Sequence, residues 1–350
     1  MRTPDSSRLR ILVADAQVPF VEGGAELHVR ALIEQLRRRG HDAERVALPF
    51  RSQPKSELLA QAAAWRLLDL SASGNVANDV LIATRFPTYF ARHPRKVAWV
   101  IHQHRAAYEL CGTEFSDFGH REEDVAIRRR LIELDTAMLS ECRHVFANAQ
   151  NTANRLTKYN GIAARALYHP PALADRLREG PFGDYVLSVG RLERVKRADL
   201  VVRAMAHANP GMRLVVVGDG SQRAELGAIA AAQAGARVEF LGAASQDQLV
   251  DLYAGARGVV YAPFDEDYGY VTLEAFLAGK PVITAADSGG TLEFVEDDVN
   301  GFVTTPDPAA IAVAINRLAG DGALAARLGA AGRRRAQAVT WDGVIEQLLG

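Results

Sequence analysis

Short apolar runs return along this chain with longer, helix-patterned segments between them, and that alternation limits its fold more than any other feature. Strands that are apolar throughout suit a parallel sheet buried on both faces, with helices covering it. The runs fall at residues 9–14, 45–48, 80–83, 97–101 and 144–147. A helix is predicted over 25–39, closed by Gly40, and another over the charged stretch 121–141.

The series breaks at Pro170-Pro171 and then starts again. Two consecutive prolines lack N–H donors and suit a linker. Strands are predicted at 185–189, 213–217, 237–240, 259–262 and 281–285, with helices at 197–207, 222–234 and 271–278. The alanine-rich tail from Pro308 reads as two or three helices. The reading is therefore an α/β protein with two Rossmann-like domains, 1–169 and 172–335. A cleft between them would bind ligand, as open α/β proteins do at the carboxyl ends of their strands.

Bulk properties remove some classes of function. A net charge of −1 gives no overall drive toward nucleic acid. Two cysteines, Cys111 and Cys142, read as reduced thiols and fit the cytoplasm. Arg8 and Arg10 flank a short run that Asp15 interrupts, so no secretory signal is read at the N-terminus. No apolar stretch is long enough to span a bilayer, while peripheral contact at the inner membrane face stays open.

Five segments carry chemistry. The densest is Glu266-Asp267-Tyr268-Gly269-Tyr270-Val271-Thr272-Leu273-Glu274. Gly269 permits a tight turn into a helix, whose free N–H groups can hold an anion or sugar oxygens. Glu266 then lies in a loop, and Glu274 one to two turns into the helix. Taken singly, each glutamate is an ordinary acid; the string carries the reading. The second segment is Gly190-Arg191-Leu192-Glu193-Arg194-Val195-Lys196. Arginine and lysine at this spacing can close on a diphosphate from two sides. Arg194 and Arg197 are read as solvated. The third is Gly23-Gly24-Ala25-Glu26, where glycine lets backbone approach a phosphate or sugar closely. A nicotinamide enzyme would want G-x-G-x-x-G there, and it is absent. The fourth is His102-Gln103-His104-Arg105 after the strand 97–101, placed to hydrogen-bond a substrate. His104 and Arg105 are candidate acceptor contacts. No further ligands at sensible spacing make His102-x-His104 a metal site. The fifth pairs the loop at Gly218 with that at Leu241.

The first of these strings resembles the E-x7-E signature of retaining GT-B glycosyltransferases, above all glycosyltransferase family 4. The resemblance covers the whole chain and is denser in the second half. It implies a GT-B fold and transfer of a sugar from a UDP- or GDP-sugar to a glycan, lipid-linked or small-molecule acceptor, without metal or cofactor. Arg191 and Lys196 would bind the donor diphosphate; His102 and Glu266 would position the sugar. Gly23 and Gly24 would close over the phosphates. Gly218 and Leu241 would flank the nucleobase, and Tyr268, Gly269, Tyr270 and Val271 would lie at the donor, with Glu274 on its ribose. Gln103 stands where the family commonly has aspartate. Asp287-Ser288-Gly289-Gly290 and Asn300-Gly301 also match, and both are read as turns with positive φ. The segment 108–118 is read as no more than a candidate acceptor loop. The resemblance also implies that the tail from 336, with Trp341, returns to the first domain. A non-transferring relative, such as an epimerase or phosphorylase, and a nucleotide-sugar-binding protein are the alternatives.

Overall fold

The computed structural model describes residues 8–20, 23–233 and 235–350. The first seven residues, and Ala234 at the expected end of the helix over 222–234, lie outside the described residues. The chain divides into two compact units, Met1–His169 with Thr340–Gly350, and Pro170–Val339.

In the first unit, β1 (Arg10–Gln17), α1 (Gly24–Arg38), β2 (Asp42–Pro49), α2 (Glu57–Leu67) and a small hairpin, β3 (Ala72–Ser73) and β4 (Val76–Ala77), lead to β5 (Val80–Ala83) and β6 (Lys96–Val100). Then come α3 (Glu122–Ser140), β7 (His144–Ala147), α4 (Gln150–Asn160) and β8 (Arg165–Ala166). The six-stranded parallel sheet runs β2-β1-β5-β6-β7-β8. β5 and β6 are buried along their whole length, which is why they read as unbroken apolar runs. β2 is an edge strand that alternates polar and apolar residues, so its apolar run at 45–48 understates it by several residues. α1 buries Val29, Leu32, Ile33 and Leu36, places Glu26 in its first turn and Arg37 and Arg38 in its last, and so agrees with the helix dipole at both ends.

The second unit repeats the plan. β9 (Tyr185–Val189), α5 (Ala198–Ala204), β10 (Arg213–Val217), α6 (Arg223–Gln233), β11 (Val238–Gly242), α7 (Gln246–Gly255) and β12 (Gly258–Val260) come first. α8 (Tyr270–Leu277), β13 (Val282–Ala285), β14 (Gly301–Thr304), α9 (Pro308–Gly320) and α10 (Gly322–Gln337) follow. Its parallel sheet runs β11-β10-β9-β12-β13-β14. The last helix, α11 (Trp341–Leu349), puts Val344, Ile345 and Leu348 into the core of the first unit beside Ile11, Val29 and Trp99. The Trp341 ring lies 6.1 Å from that of Trp99 and 5.4 Å from that of His169. Arg39 pairs with Asp342, and Arg95 donates to the Leu349 carbonyl. The part of the tail that joins the first unit begins at Thr340 rather than at 336, because α10 stays with the second unit.

Helices α4 and α7 and strand β14 have no counterpart in the sequence reading. α4 is polar over much of its length, with Ala153 and Leu156 its only buried apolar residues. No single helix among the described residues is long and apolar enough to cross a membrane.

Candidate functional site

In each sheet the strand order reverses once, and a reversal leaves a crevice at the carboxyl ends of the two strands that flank it. In the second unit the reversal lies between β9 and β12. The loop after β9 is Gly190–Lys196 and the loop after β12 holds Glu266, so the two strongest sequence segments meet at the point where topology makes room. Lys196 Nζ donates to Glu266 Oε2 at 2.5 Å, and both side chains are largely buried. Residues 188–192, Lys196 and Val260–Ala262 line one small pocket there, with Arg191 exposed at its rim.

Arg197 is not solvated, contrary to the sequence reading. Its guanidinium pairs with both oxygens of Asp287, at 2.8 and 2.6 Å, and donates to the carbonyls of Ala262 and Pro263, each at 2.9 Å. Its backbone is left-handed, with φ of 50°, which turns the side chain inward and starts α5 at Ala198 instead of 197. One arginine thereby fastens the loops after β9, β12 and β13. Asp287, read as part of a turn, is its partner. Backbone bonds reinforce the arrangement: Phe264 N to Val195 O at 2.8 Å and Gly290 N to Glu266 O at 2.7 Å. Arg194 is exposed.

Gly269 has φ of 80° immediately before α8, and a Cβ on it would lie 2.8 Å from Thr291 Oγ1. Both conformation and space therefore require glycine at this helix start. Val271 and Tyr268 are buried, and the Tyr268 ring packs on Tyr270 and Phe294. Glu274, half-buried, accepts a hydrogen bond from the Tyr253 hydroxyl at 2.7 Å. Burial holds its carboxyl above the ordinary glutamate range, and the Tyr253 bond opposes this. Tyr253, near the end of α7, is the partner of Glu274 that the sequence reading missed; it lies 21 residues away and in no motif.

The loops at Gly218 and Leu241 join the same end of the sheet. Gly218 N donates to Gly242 O at 2.8 Å, and Gly190 N to Val217 O at 3.0 Å. A Cβ on Gly218 would lie 1.9 Å from Gly190 O, so any larger residue would push the two loops apart. Leu241 holds its side chain exposed there. Gly289 has the expected positive φ, but Gly301 does not; it is small because the Val282 carbonyl passes 2.1 Å from where its Cβ would be.

In the first unit the reversal lies between β1 and β5. Gly23 and Gly24 start α1 there, and Gly23 N donates to Glu26 Oε2 at 2.9 Å. Arg85, just after β5, bridges Glu26 at 2.7 Å and the buried Asp15 at 2.8 Å. Burial raises the Glu26 carboxyl, but the Arg85 guanidinium and the backbone N–H groups of Glu26 and Gly23 together hold the acid below its ordinary range. His102 follows β6 and is half-buried, its Nδ1 2.8 Å from the carbonyl oxygen of Gln103. Gln103 is buried and donates to Asn160 Oδ1 at 2.8 Å. His104 stands among the rings of Phe50, Phe86 and Phe118, and burial pushes its imidazole down to about 4. Arg105 pairs with Glu109 at 2.5 Å. In the segment 108–118, Tyr108, Leu110 and Phe118 are buried, while Gly112, Glu114 and Asp117 are exposed. Among the described residues no group of three potential ligands could hold a metal ion.

Residues 177–335 match the family model for glycosyl transferases group 1. A D-inositol 3-phosphate glycosyltransferase of Xylanimonas cellulosilytica is 35% identical over 185 residues, covering 51% of this chain but only 44% of that protein. The chain thus spans less than half the length of that relative. An uncharacterized glycosyltransferase of Methanocaldococcus jannaschii is 26% identical, with 87% of both chains covered. Among solved structures, sucrose-phosphate synthase from Thermosynechococcus elongatus superposes with a TM-score of 0.76 at 22% identity, covering 97% of each chain. Anabaena HepE in complex with UDP-glucose does so at 0.70 and 22%, with the same coverage. By its span and by these folds, the second unit is matched as a glycosyl transferases group 1 domain, within a chain that has the two-domain GT-B fold of glycosyltransferases.

Proposed function

We propose that this chain is a retaining, metal-independent glycosyltransferase of the family 4 type, which moves a sugar from a nucleoside-diphosphate sugar to an acceptor hydroxyl. The observation that carries the reading is the junction of Lys196 with Glu266 at the switch point of the second sheet, with Arg191 at its rim and the α8 start alongside. Lysine has three donors, so Lys196 can keep Glu266 and still reach a phosphate oxygen. In transfer, the bond from the anomeric carbon to the leaving phosphate oxygen breaks. The acceptor oxygen bonds to that carbon on the same face, and its proton passes to the departing phosphate. Arg191 and Lys196 stabilise the charge that grows on the leaving diphosphate, the task a divalent ion would otherwise take. Glu266 and His102 orient the sugar. Gly23 and Gly24 allow backbone to approach the phosphates, Gly218 and Leu241 flank the base, and Glu274 accepts from the ribose.

The acceptor is a glycan, a lipid-linked sugar or a small molecule. The relatives named for inositol 3-phosphate align with about half of this chain and do not narrow the choice. The two free cysteines suit a cytoplasmic setting, with contact at the inner membrane face left to experiment. UDP-glucose, the donor that Anabaena HepE holds, is the first to try. Purified chain should release UDP only when an acceptor extract is added, should conserve the anomeric configuration, and should keep its rate in excess EDTA. Release without acceptor would favour a non-transferring enzyme, and loss of rate that manganese restores would remove the proposed role of the two cations.

A further inference from the structure

A pocket of about 710 Å³ opens within the first unit, along the flank of α1. The sheet edge explains it. β2 is the outermost strand, and its side chains alternate between the two faces. Val46 and Leu48 pack into the core on one face, so Ala43, Arg45 and Ala47 lie on the other, under α1. Ala47 is exposed and small, and a hollow remains between the strand and the helix. Val29 and Ile33 form an apolar floor. Gln17, the last residue of β1, and Glu26, in the first turn of α1, lie at one end. That end opens at the switch point between β1 and β5.

Four arginines and two glutamates line the pocket, and both acids are already engaged. Glu26 takes Arg85 and the Gly23 N–H. Glu34 pairs with Arg38. Of the cations, Arg45 is committed to the buried Asp15 at 2.7 Å. Arg37 differs. Its Nε donates to Ala43 O at 2.9 Å, which fixes the plane of the guanidinium, and among the described residues no carboxylate pairs with it. An arginine held by its Nε keeps both Nη groups as a fork for two oxygens of one anion. Arg30 stands on the same wall seven residues earlier, and both arginines are exposed. Seven residues are about 10.5 Å of helix, so two long side chains can converge on one group between them.

We propose that the acceptor is a phosphorylated sugar whose phosphate lies in this groove, held by Arg37 and Arg30. The inference rests on the transferase reading and names the acceptor class which that reading leaves open. A phosphate monoester carries about 1.5 to 2 negative charges at pH 7 and has oxygens for both arginines, whereas a carboxylate satisfies one fork. The floor of Val29 and Ile33, with the fully exposed Phe20 ring at the mouth, adds apolar contact that favours a sugar phosphate over free phosphate. Arg30 and Arg37 stand about 6 and 16 Å along the helix axis from Glu26. A phosphate between them leaves the sugar hydroxyls of such a molecule pointing back to the switch point.

The test uses the full chain with 15N-labelled arginine, the Arg37 Nε–H signal being assigned by its absence in Arg37→Gln. Titration with glucose 6-phosphate, glucose 1-phosphate and mannose 6-phosphate should shift that signal saturably for at least one of them. Glucose, mannose and sodium chloride of equal ionic strength should leave it in place, and inorganic phosphate should act only at higher concentration. Arg30→Gln should weaken the affinity about tenfold or more. With a donor that turns over, a phosphorylated sugar should be glycosylated in preference to its plain counterpart. Arg37→Gln should then raise acceptor KM about tenfold or more while kcat and donor KM hold. The absence of a saturable shift, a shift that sodium chloride reproduces, an affinity unchanged in Arg30→Gln, or a plain sugar used as well as its phosphate each overturns the proposal. Failure of every nucleotide sugar to turn over would instead sink the transferase reading, and the titration would still decide whether the groove holds a sugar phosphate.

Discussion

Lys196 and Glu274 both face the proposed donor, yet their loss should read differently in kinetics. Charge on the phosphate oxygens grows as the leaving group departs, whereas a ribose hydroxyl changes little along the reaction. A contact that strengthens in the transition state shows in kcat, and one equal in both states shows in KM. Lys196→Ala should therefore cut kcat, on the order of 10²–10³-fold. Glu274→Ala should mainly raise donor KM, by roughly 1.5–3 kcal/mol of binding. Steady-state kinetics with varied donor decides both, and a pure KM effect in Lys196→Ala would reduce that residue to an anchor. The Tyr253 bond adds a pH signature. Glu274 must be ionised to accept from ribose, and burial holds its carboxyl above the ordinary range. Donor affinity should then fall as pH drops through that raised value, at higher pH than an ordinary glutamate near about 4.3 would give. Tyr253→Phe removes the bond that lowers it, so the acid limb of the KM profile should move to still higher pH. A limb that stays in place would separate Glu274 from donor binding.

At the scale of elements, the site depends on loops held to one another more than on any single strand. Arg197 binds the loops after β9, β12 and β13 at once. Lysine keeps the charge but loses the planar fork that meets both Asp287 oxygens. Arg197→Lys should cost about 1.5–3 kcal/mol of stability and weaken nucleotide-sugar binding with it. A thermal-shift series with and without UDP-glucose measures both effects, and an unchanged midpoint in the two conditions would deny the fastening role. The loop ends were legible where glycine announced them: Gly269 and the Gly190 segment stand where the sequence puts them. Arg197 was not legible, because a basic residue at a helix start reads as a solvated side chain. Its left-handed backbone and its partner 90 residues away exist only in the fold.

At the scale of the molecule, the chain's last helix belongs to the unit in which the chain began. Leu348 is buried in the core formed by α1, β1 and β6. Leu348→Ala should cost about 2–5 kcal/mol, and hydrogen exchange should speed up in α1 and β1 while β9 and β10 keep their protection. Equal loosening of both units would show that the last helix is not a private part of the first.

Sequence alone determined the two-fold α/β plan, the buried strands and the loops that meet at the second switch point, since these rest on local causes: period, glycine conformation and residue spacing. Of the proposed first-domain contacts it marked His102 and Gly23-Gly24 but not what holds them. His104 looked like an equal of His102, and only the fold shows it enclosed by three aromatic rings. Arg85 and Tyr253 came from tertiary structure alone. Each acts through partners distant in sequence, and burial, which shifts an acid or selects a hydrogen-bond partner, is a property of the packed interior and not of any segment.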